Sequence, residues 1–200
     1  MSSIKHLRNI LCAFLLLWLC APVAQASQTL QLPDPDKKGG MPLMQALSER
    51  KSTKSFSEQI VHKQDLSNLL WAAWGVNRPD GRRTAPTARN KQAVDVYVVL
   101  ESGVWRYDGS RHLLEQVLPG DMRAKVSSAP VTLLFAAPED DEWAGVHIGS
   151  IYQNAGLYCS STKMACVVLG SKKATEGLKD SLKLPGAYRI YAALAVGWPK

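Results

Sequence analysis

The chain has 200 residues, 46% hydrophobic and 20% charged, enough to bury one core as one domain or at most two small ones. With 14 glycines, 11 prolines and four cysteines it is neither collagenous, nor low-complexity, nor a disulfide scaffold. The formal charge is +7. The basic residues are scattered rather than set in a stripe with interleaved aromatics, which argues against nucleic acid as a partner.

Met1–Ala26 reads as a secretory signal peptide: Lys5 and Arg8 lead an apolar run, Ile10–Cys20, and Val23-Ala24-Gln25-Ala26 offers a small-residue cleavage site. The run has 11 residues, whereas a membrane-spanning helix needs about 20. Cleavage after Ala26 predicts an exported, periplasmic protein without an integral membrane segment. Its 22 basic and 17 acidic residues leave +5, which suits a phosphate-bearing ligand, an anionic surface or plain solubility. Of the cysteines only Cys159 and Cys166 remain. Placed on one helix, seven residues put them about 10.5 Å apart, too far for a bridge, so both read as buried free thiols.

Residues 27–40 read as a flexible lead-in, since QLPDPDKKGG is rich in Pro, Gly and charge, and residues 41–200 as the folded domain. Pro42 opens a helix carrying Leu43, Ala46 and Leu47 on one face. A stronger stripe, Leu66, Leu69, Leu70, Ala73 and Trp74, predicts a helix over 64–74 that Gly75 ends. Arg78–Arg89 is a basic loop with turn chemistry at Pro79-Asp80-Gly81. Val94–Leu100 reads as a buried strand, turning at Ser102-Gly103 into Val104–Tyr107. Leu113, Leu114 and Val117 suggest a short helix, and Val131–Ala136 another buried strand. Glu142 to about Cys166 is expected as one long helix with small residues at its middle, preceded by a solvated carboxylate run, Asp140-Asp141-Glu142. Ala174–Leu182 suggests a short helix and Tyr188–Val196 a final strand. Without regular βαβ alternation the class is α+β.

The nucleotide, hydrolase and metalloprotease signatures are missing, and His62, His112 and His147 are not spaced with carboxylates or cysteines as metal ligands, so no metal site and no catalytic acid–base residue is assigned. Two polar basic segments remain. Glu49–Phe56 combines cations with hydroxyls, the mixture that binds phosphate. In Arg83–Gln92, Pro86 stiffens a loop, Ala88 leaves room for a flat ligand, and Asn90 and Gln92 can each donate and accept.

In this order the segments resemble the nitroreductase family of FMN-dependent oxidoreductases, in particular its shorter exported branch. Arg50-Lys51-Ser52-x-Lys54-x-Phe56 is similar to the family's R-R-S-x-R-x-F. Arg83-Thr84-Ala85-Pro86-Thr87-Ala88-Arg89-Asn90-x-Gln92 is similar to R-x-x-P-S-A-x-N-x-Q. Val96–Val99, Gly103–Tyr107 and Ala129-Pro130-Val131 resemble the strands that follow. His147-Ile148-Gly149-x-x-x-Gln153-Asn154 resembles D-x-G-x-x-x-Q-N of a long central helix, and Gly197-Trp198-Pro199 the G-Y-P that closes the last strand. The resemblance spans Gly40–Lys200. His147 stands where the family has an acidic residue, Lys54 replaces an arginine, and Thr162-Lys163-Met164 replaces G-L-G.

The resemblance implies a central, mostly antiparallel sheet flanked by helices, with the long helix at a homodimer interface. It implies FMN held through its phosphate and ribityl chain by Arg50, Lys51 and Ser52, with Lys54 nearby and Lys200 as a further phosphate contact. Pro86, Thr87, Ala88, Asn90 and Gln92 would line the flavin from the second subunit, and the backbone at Val168, Leu169 and Gly170 would face its reactive edge. The implied activity is ping-pong transfer of a hydride through flavin N5 to a small-molecule acceptor such as a nitroaromatic or quinone, with NAD(P)H or a redox protein as donor. The alternative is a non-catalytic dimer of the same fold that binds an anionic small molecule.

Overall fold

The computed structural model describes residues 28–170, 178 and 181–200. The signal-peptide expectation for Met1–Ala26, and all of the expected helix 174–182 except Leu178, Ser181 and Leu182, lie outside these residues. In chain order the elements are β1 (Thr29–Gln31), α1 (Leu43–Glu49), α2 (Lys63–Trp74), a single 3-10 turn (Ala88–Asn90), β2 (Asp95–Leu100), β3 (Gly103–Asp108), β4 (Leu113–Pro119), α3 (Arg123–Val126), β5 (Val131–Pro138), α4 (Ala144–Ser161), β6 (Ala165–Gly170) and β7 (Tyr188–Gly197). The strands form one open sheet in the order β1-β4-β3-β2-β5-β7-β6. Every pairing is antiparallel, as the α+β class expects.

Alternation along the central strands divides the core in two. Val96, Val98, Leu133, Phe135, Leu194 and Val196 face α2 and α4, where Leu66, Leu69, Leu70 and Trp74 meet Ile148, Ile151, Ala155 and Cys159. The other face carries Tyr97, Val99, Leu134, Ala136 and Ala193, covered by Val126, Leu178 and Leu182. Burying such side chains stabilises the fold by about 1.5–3 kcal/mol each. This double burial explains why β2 and β5 are almost continuously apolar in sequence. The β2–β3 hairpin turns at Gly103, whose φ of +138° and close approach to the Leu118 carbonyl leave no room for a side chain.

Four expectations are corrected. The lead-in is ordered: Thr29–Gln31 pairs with β4, Leu32 is buried, and α2 holds the segment through Ser67 Oγ to the Pro33 carbonyl (2.5 Å) and the Asp36 N–H to Asn68 Oδ1 (2.8 Å). Leu113, Leu114 and Val117 lie on β4, because pairing with both β1 and β3 outweighs a three-residue helical spacing. The long helix stops at Ser161; Lys163 takes a left-handed conformation (φ +63°) and Met164 returns its N–H to the Cys159 carbonyl at 2.8 Å. Cys166 is therefore on β6, and the seven-residue helical spacing from Cys159 does not apply, although both thiols are free and buried. The carboxylate run is not wholly solvated, since the Asp141 side chain is only 5% exposed.

Candidate functional site

The first basic segment leaves α1 in extended conformation and docks on the outer edge of β6, where the Thr53 N–H donates to the Cys166 carbonyl at 2.9 Å. An extended chain alternates its side chains. Arg50 and Ser52 line a small pocket of about 60 Å³ together with Tyr152, Gln153 and Val168. Lys51 and Thr53 line an adjoining cavity of about 360 Å³ with Ser160, Lys163 and Lys200. Gly156 and Cys166 border both, so the two make one trough along the second half of α4. Arg50, Lys51 and Ser52 thus line one trough with Lys200, which lies 150 positions from Arg50 in sequence. Lys54 is exposed and lines neither part.

β6 ends the sheet, so one of its edges is open. Because the Cys166 carbonyl points outward to Thr53, antiparallel alternation turns the amides of Val168 and Gly170 to the same edge. Leu169, by the same alternation, directs its N–H to Ala193 of β7, and its side chain packs against the core. Of the predicted backbone stretch, then, Val168 lines the trough, Gly170 turns its N–H to the same edge without lining it, and Leu169 does neither.

The second segment is organised internally. Arg83 stacks on Trp74 with its guanidinium carbon 4.7 Å from the ring centroid, and donates from Nη1 to the Trp74 carbonyl (2.8 Å) and from Nε to Gln92 Oε1 (2.7 Å). Burial pulls the Arg83 pKa below the usual guanidinium value, with Tyr107, Asp108 and Asp95 offsetting part of this. Gln92 also donates from Nε2 to the Gly81 carbonyl (3.2 Å) and Asn90 Oδ1 (3.0 Å), and its N–H reaches Thr87 Oγ1 (3.1 Å). The predicted polar residues Thr87, Asn90 and Gln92 are thus hydrogen-bonded within the loop, while Pro86 and Asn90 are exposed on its surface and Ala88 is half-buried. Arg89, Asn90 and Gln92 all have φ near +50°, a cost that persists only where surroundings over-determine the chain.

Neither part of the trough includes a residue of 86–92. His147, in the first turn of α4, holds the Ala88 N–H at 2.8 Å, whereas Ser160, in its last turn, holds the Ala46 carbonyl of α1 at 2.9 Å. Thirteen residues of helix separate these anchors, about 20 Å along the axis. Within one chain the two segments share no cavity. The second is tied to the first turn of α4, whereas Arg50 and Ser52 meet Tyr152 and Gln153 at its middle and Lys51 lines a cavity with Ser160 near its end. Sequence reading missed Thr53, Gly156, Lys163 and Cys166 in the trough and the Asp141–His147 anchor. Alternation from Lys51 would have found Thr53; the others depend on where α4 ends.

Comparison with known proteins fits this geometry. A crystal structure of a nitroreductase-like protein from Ralstonia eutropha JMP134 superposes with a TM-score of 0.77 at 33% identity, covering 89% of this chain and 92% of that one. A Methanocaldococcus jannaschii protein named as a nitroreductase is 24% identical over 181 residues, 78% of this chain and 89% of its own length. A Desulfovibrio desulfuricans structure described as a nitroreductase in complex with FMN has a TM-score of 0.56 at 20% identity, covering 80% of this chain and 87% of that one. The Nitroreductase family model matches residues 47–198, from the last turn of α1 to the Trp198 that follows β7. Since that stretch holds the cationic trough, the stacked Arg83 loop and nearly the whole sheet, the chain is a member of the nitroreductase family.

Proposed function

We propose that the protein is an FMN-dependent oxidoreductase that works as a homodimer and passes electrons to a small acceptor such as a nitroaromatic or quinone. The carrying observation is the trough itself, in which Arg50, Lys51 and Lys200 converge beside the open edge of β6. The group fits these residues. Arg50, Lys51 and Lys200 offer the cations, and Ser52 and Thr53 the hydroxyls, that a phosphate monoester requires. Gly156 contributes no side chain to the wall, leaving width for a flat ring.

Bound there, FMN would supply the two-electron chemistry. The chain's own part is binding and electrostatics. Val168 and Gly170 present fixed N–H donors where negative charge would develop, and the cations hold the phosphate end. The family relatives with bound FMN support the cofactor. That neither part of the trough includes a residue of 86–92 supports completion of the site by Pro86 and Ala88 of a second copy. Leu43, Met44 and Leu47 on α1 and Val146 on α4 are exposed apolar residues suited to a protomer interface. Export to the periplasm would leave a redox protein, rather than NAD(P)H, as the natural electron donor.

The test is an absorption spectrum of the purified protein with mass spectrometry of its ligand. Yellow absorbance and an FMN mass are expected, and Arg50→Ala with Lys51→Ala should abolish both while the protein stays folded. A colourless protein that takes up no FMN on incubation overturns the proposal.

A further inference from the structure

The bond from the Ala88 N–H to His147 Nε2, 2.8 Å long, is the one hydrogen bond between residues 86–92 and α4 among the described residues. His147 is 2% exposed. Because Nε2 accepts, the ring proton sits on Nδ1, which faces Asp141 Oδ2 at 3.6 Å. That is too long for a hydrogen bond, so two buried polar atoms, Nδ1 and Oδ2, are left without a partner. The other Asp141 oxygen accepts the Trp143 N–H at 3.1 Å and stands 3.9 Å from Lys91 Nζ. Unpaired buried polar atoms are rare enough that each calls for a reason. The chain that hangs from this bond is itself strained: Arg89, Asn90 and Gln92 are left-handed, with φ between +49° and +54°.

We propose that His147 is a proton-operated latch on the 86–92 loop: neutral, it holds the Ala88 amide; charged, it turns to Asp141 and lets the loop go. The chemistry is a reversal of role at one atom. A neutral imidazole has one free lone pair, and here Nε2 points it at Ala88. A second proton must enter at that same nitrogen, which then becomes a donor facing another donor. The positive ring is drawn instead to the carboxylate, and a small shift closes the gap to a charge-assisted bond. Each state thus leaves one side unsatisfied: Nδ1 and Oδ2 when the ring is neutral, Ala88 when it is charged. A fixed acceptor would hold the loop as well but could not release it, whereas imidazole ordinarily changes charge between about pH 5 and 8.

Titratable groups on this corner come from three elements. The turn before α4 contributes Asp141 and the exposed Asp140 and Glu142, and the loop contributes the exposed Arg89 and Lys91. β7 contributes Tyr188, whose phenol is kept protonated by burial and by the carboxylates of Asp95 and Asp141. β5, packed against α4, carries no titratable side chain. Of the carboxylates, Asp141 alone comes within 4 Å of the ring among the described residues. The consequence for function rests on the flavin reading above: Pro86 and Ala88 are the residues offered to the second subunit's site, so acid would open that wall.

The test follows backbone amide exchange by NMR in the full chain at about pH 8 and about pH 5, expressed as protection factors, which divide out the intrinsic pH dependence of exchange. Protection of the Ala88 amide should fall about tenfold or more on acidification, the loss expected of a buried N–H without its acceptor. The imidazole nitrogen signals of His147 should change over the same range. His147→Gln, whose amide oxygen can accept from Ala88 but takes no proton, should keep the protection at the lower pH. Asp141→Asn removes the counter-charge and should move the release to lower pH. Equal protection at both pH values in the unmodified chain, which needs no variant to fold, overturns the latch. A glutamine variant that loses protection as the parent does overturns His147 as its source, and an asparagine variant that releases at the parent's pH overturns the part of Asp141. Absorbance separates the flavin reading: a colourless protein with pH-dependent protection overturns that reading and supports the latch. A yellow protein that holds FMN as tightly with the loop open overturns the control of the site.

Discussion

The imidazole of His147 accepts the backbone N–H of Ala88 at 2.8 Å, across 59 positions of sequence. Its Nε2 is therefore the unprotonated nitrogen, and Nδ1–H points toward Asp141 Oδ2 at 3.6 Å, just beyond hydrogen-bond length. Asp141 in turn stands 3.9 Å from Lys91 Nζ through its other oxygen. A chain from Lys91 through Asp141 and His147 to Ala88 thus pins the left-handed loop at both of its ends. His147→Ala leaves the Ala88 amide without its acceptor and should cost about 1–3 kcal/mol in urea denaturation. Hydrogen exchange across 84–92 should rise while that of α2 does not. His147→Asp, which restores the residue type usual in the family, sets a second carboxylate against Asp141 and should also destabilise.

Arg83 makes a second anchor for the same loop, and Gly109 lies directly beneath it. A Cβ at 109 would collide with Arg83 Nη1 and stand 2.9 Å from the Trp74 carbonyl. Gly109→Ala must displace the guanidinium from its stack on Trp74, and overpacking of this kind costs about 1–3 kcal/mol. Arg83→Lys keeps the charge but loses the fork that reaches Gln92 and Trp74 together. Both variants should show new proteolytic cleavage between Thr84 and Gln92 before global unfolding; a loop as resistant as in the parent protein would refute the anchoring role.

Much of this was legible in sequence, and what escaped has a physical reason. The α2 stripe and the β2 and β5 runs announce themselves because each buries a periodic or continuous apolar set. The Arg50–Ser52 and Arg83–Gln92 segments were visible as basic motifs, and the trough and loop use them. β4 escaped because Leu113, Leu114 and Val117 satisfy a helix as well as a strand, and only pairing with β1 and β3 decides. The end of α4 escaped because Lys163, not glycine or asparagine, takes the left-handed turn. That one turn moved Cys166 from helix to strand. The resemblance implies a flavin contact for Gln92, and what the sequence does not show is that Arg83, Gly81 and Asn90 engage its side-chain amide within the loop.

His112 ties the N-terminal strand to the body. Ser67 Oγ donates to the Pro33 carbonyl, so His112 Nε2–H donates to Ser67 Oγ at 2.7 Å, and Nδ1 accepts the Tyr107 hydroxyl at 2.8 Å. Burial holds the His112 pKa below the ordinary value of 6.5, with the Pro33 carbonyl partly opposing. The unfolded chain therefore binds this proton more readily than the folded one, and stability rises with pH through the window. The penalty is absent above about pH 6.5 and grows as pH falls toward the lowered folded value. Thermal unfolding should show a lower melting temperature at pH 5 than at pH 8, with β1 exchanging first. His112→Asn should flatten that dependence, and an unchanged slope would remove His112 as its source.

The separation of the two basic segments along α4 makes the oligomeric state a direct test of the flavin reading. Gly145 and Gly149 leave the outer face of α4 bare, since a Cβ at 145 meets nothing within 4 Å and one at 149 only the Tyr152 hydroxyl, at 3.9 Å. A side chain there is tolerated in one protomer and obstructive between two. Gly149→Leu should therefore keep the monomer folded while overpacking the interface by about 1–3 kcal/mol, weakening association roughly tenfold or more. On the proposed function the parent protein should sediment as a dimer and this variant as a monomer. FMN should leave with it, although Arg50, Lys51 and Lys200 are untouched, because Pro86 and Ala88 of the second copy no longer close the trough. A monomeric variant that holds FMN as tightly as the parent would mean that one chain suffices.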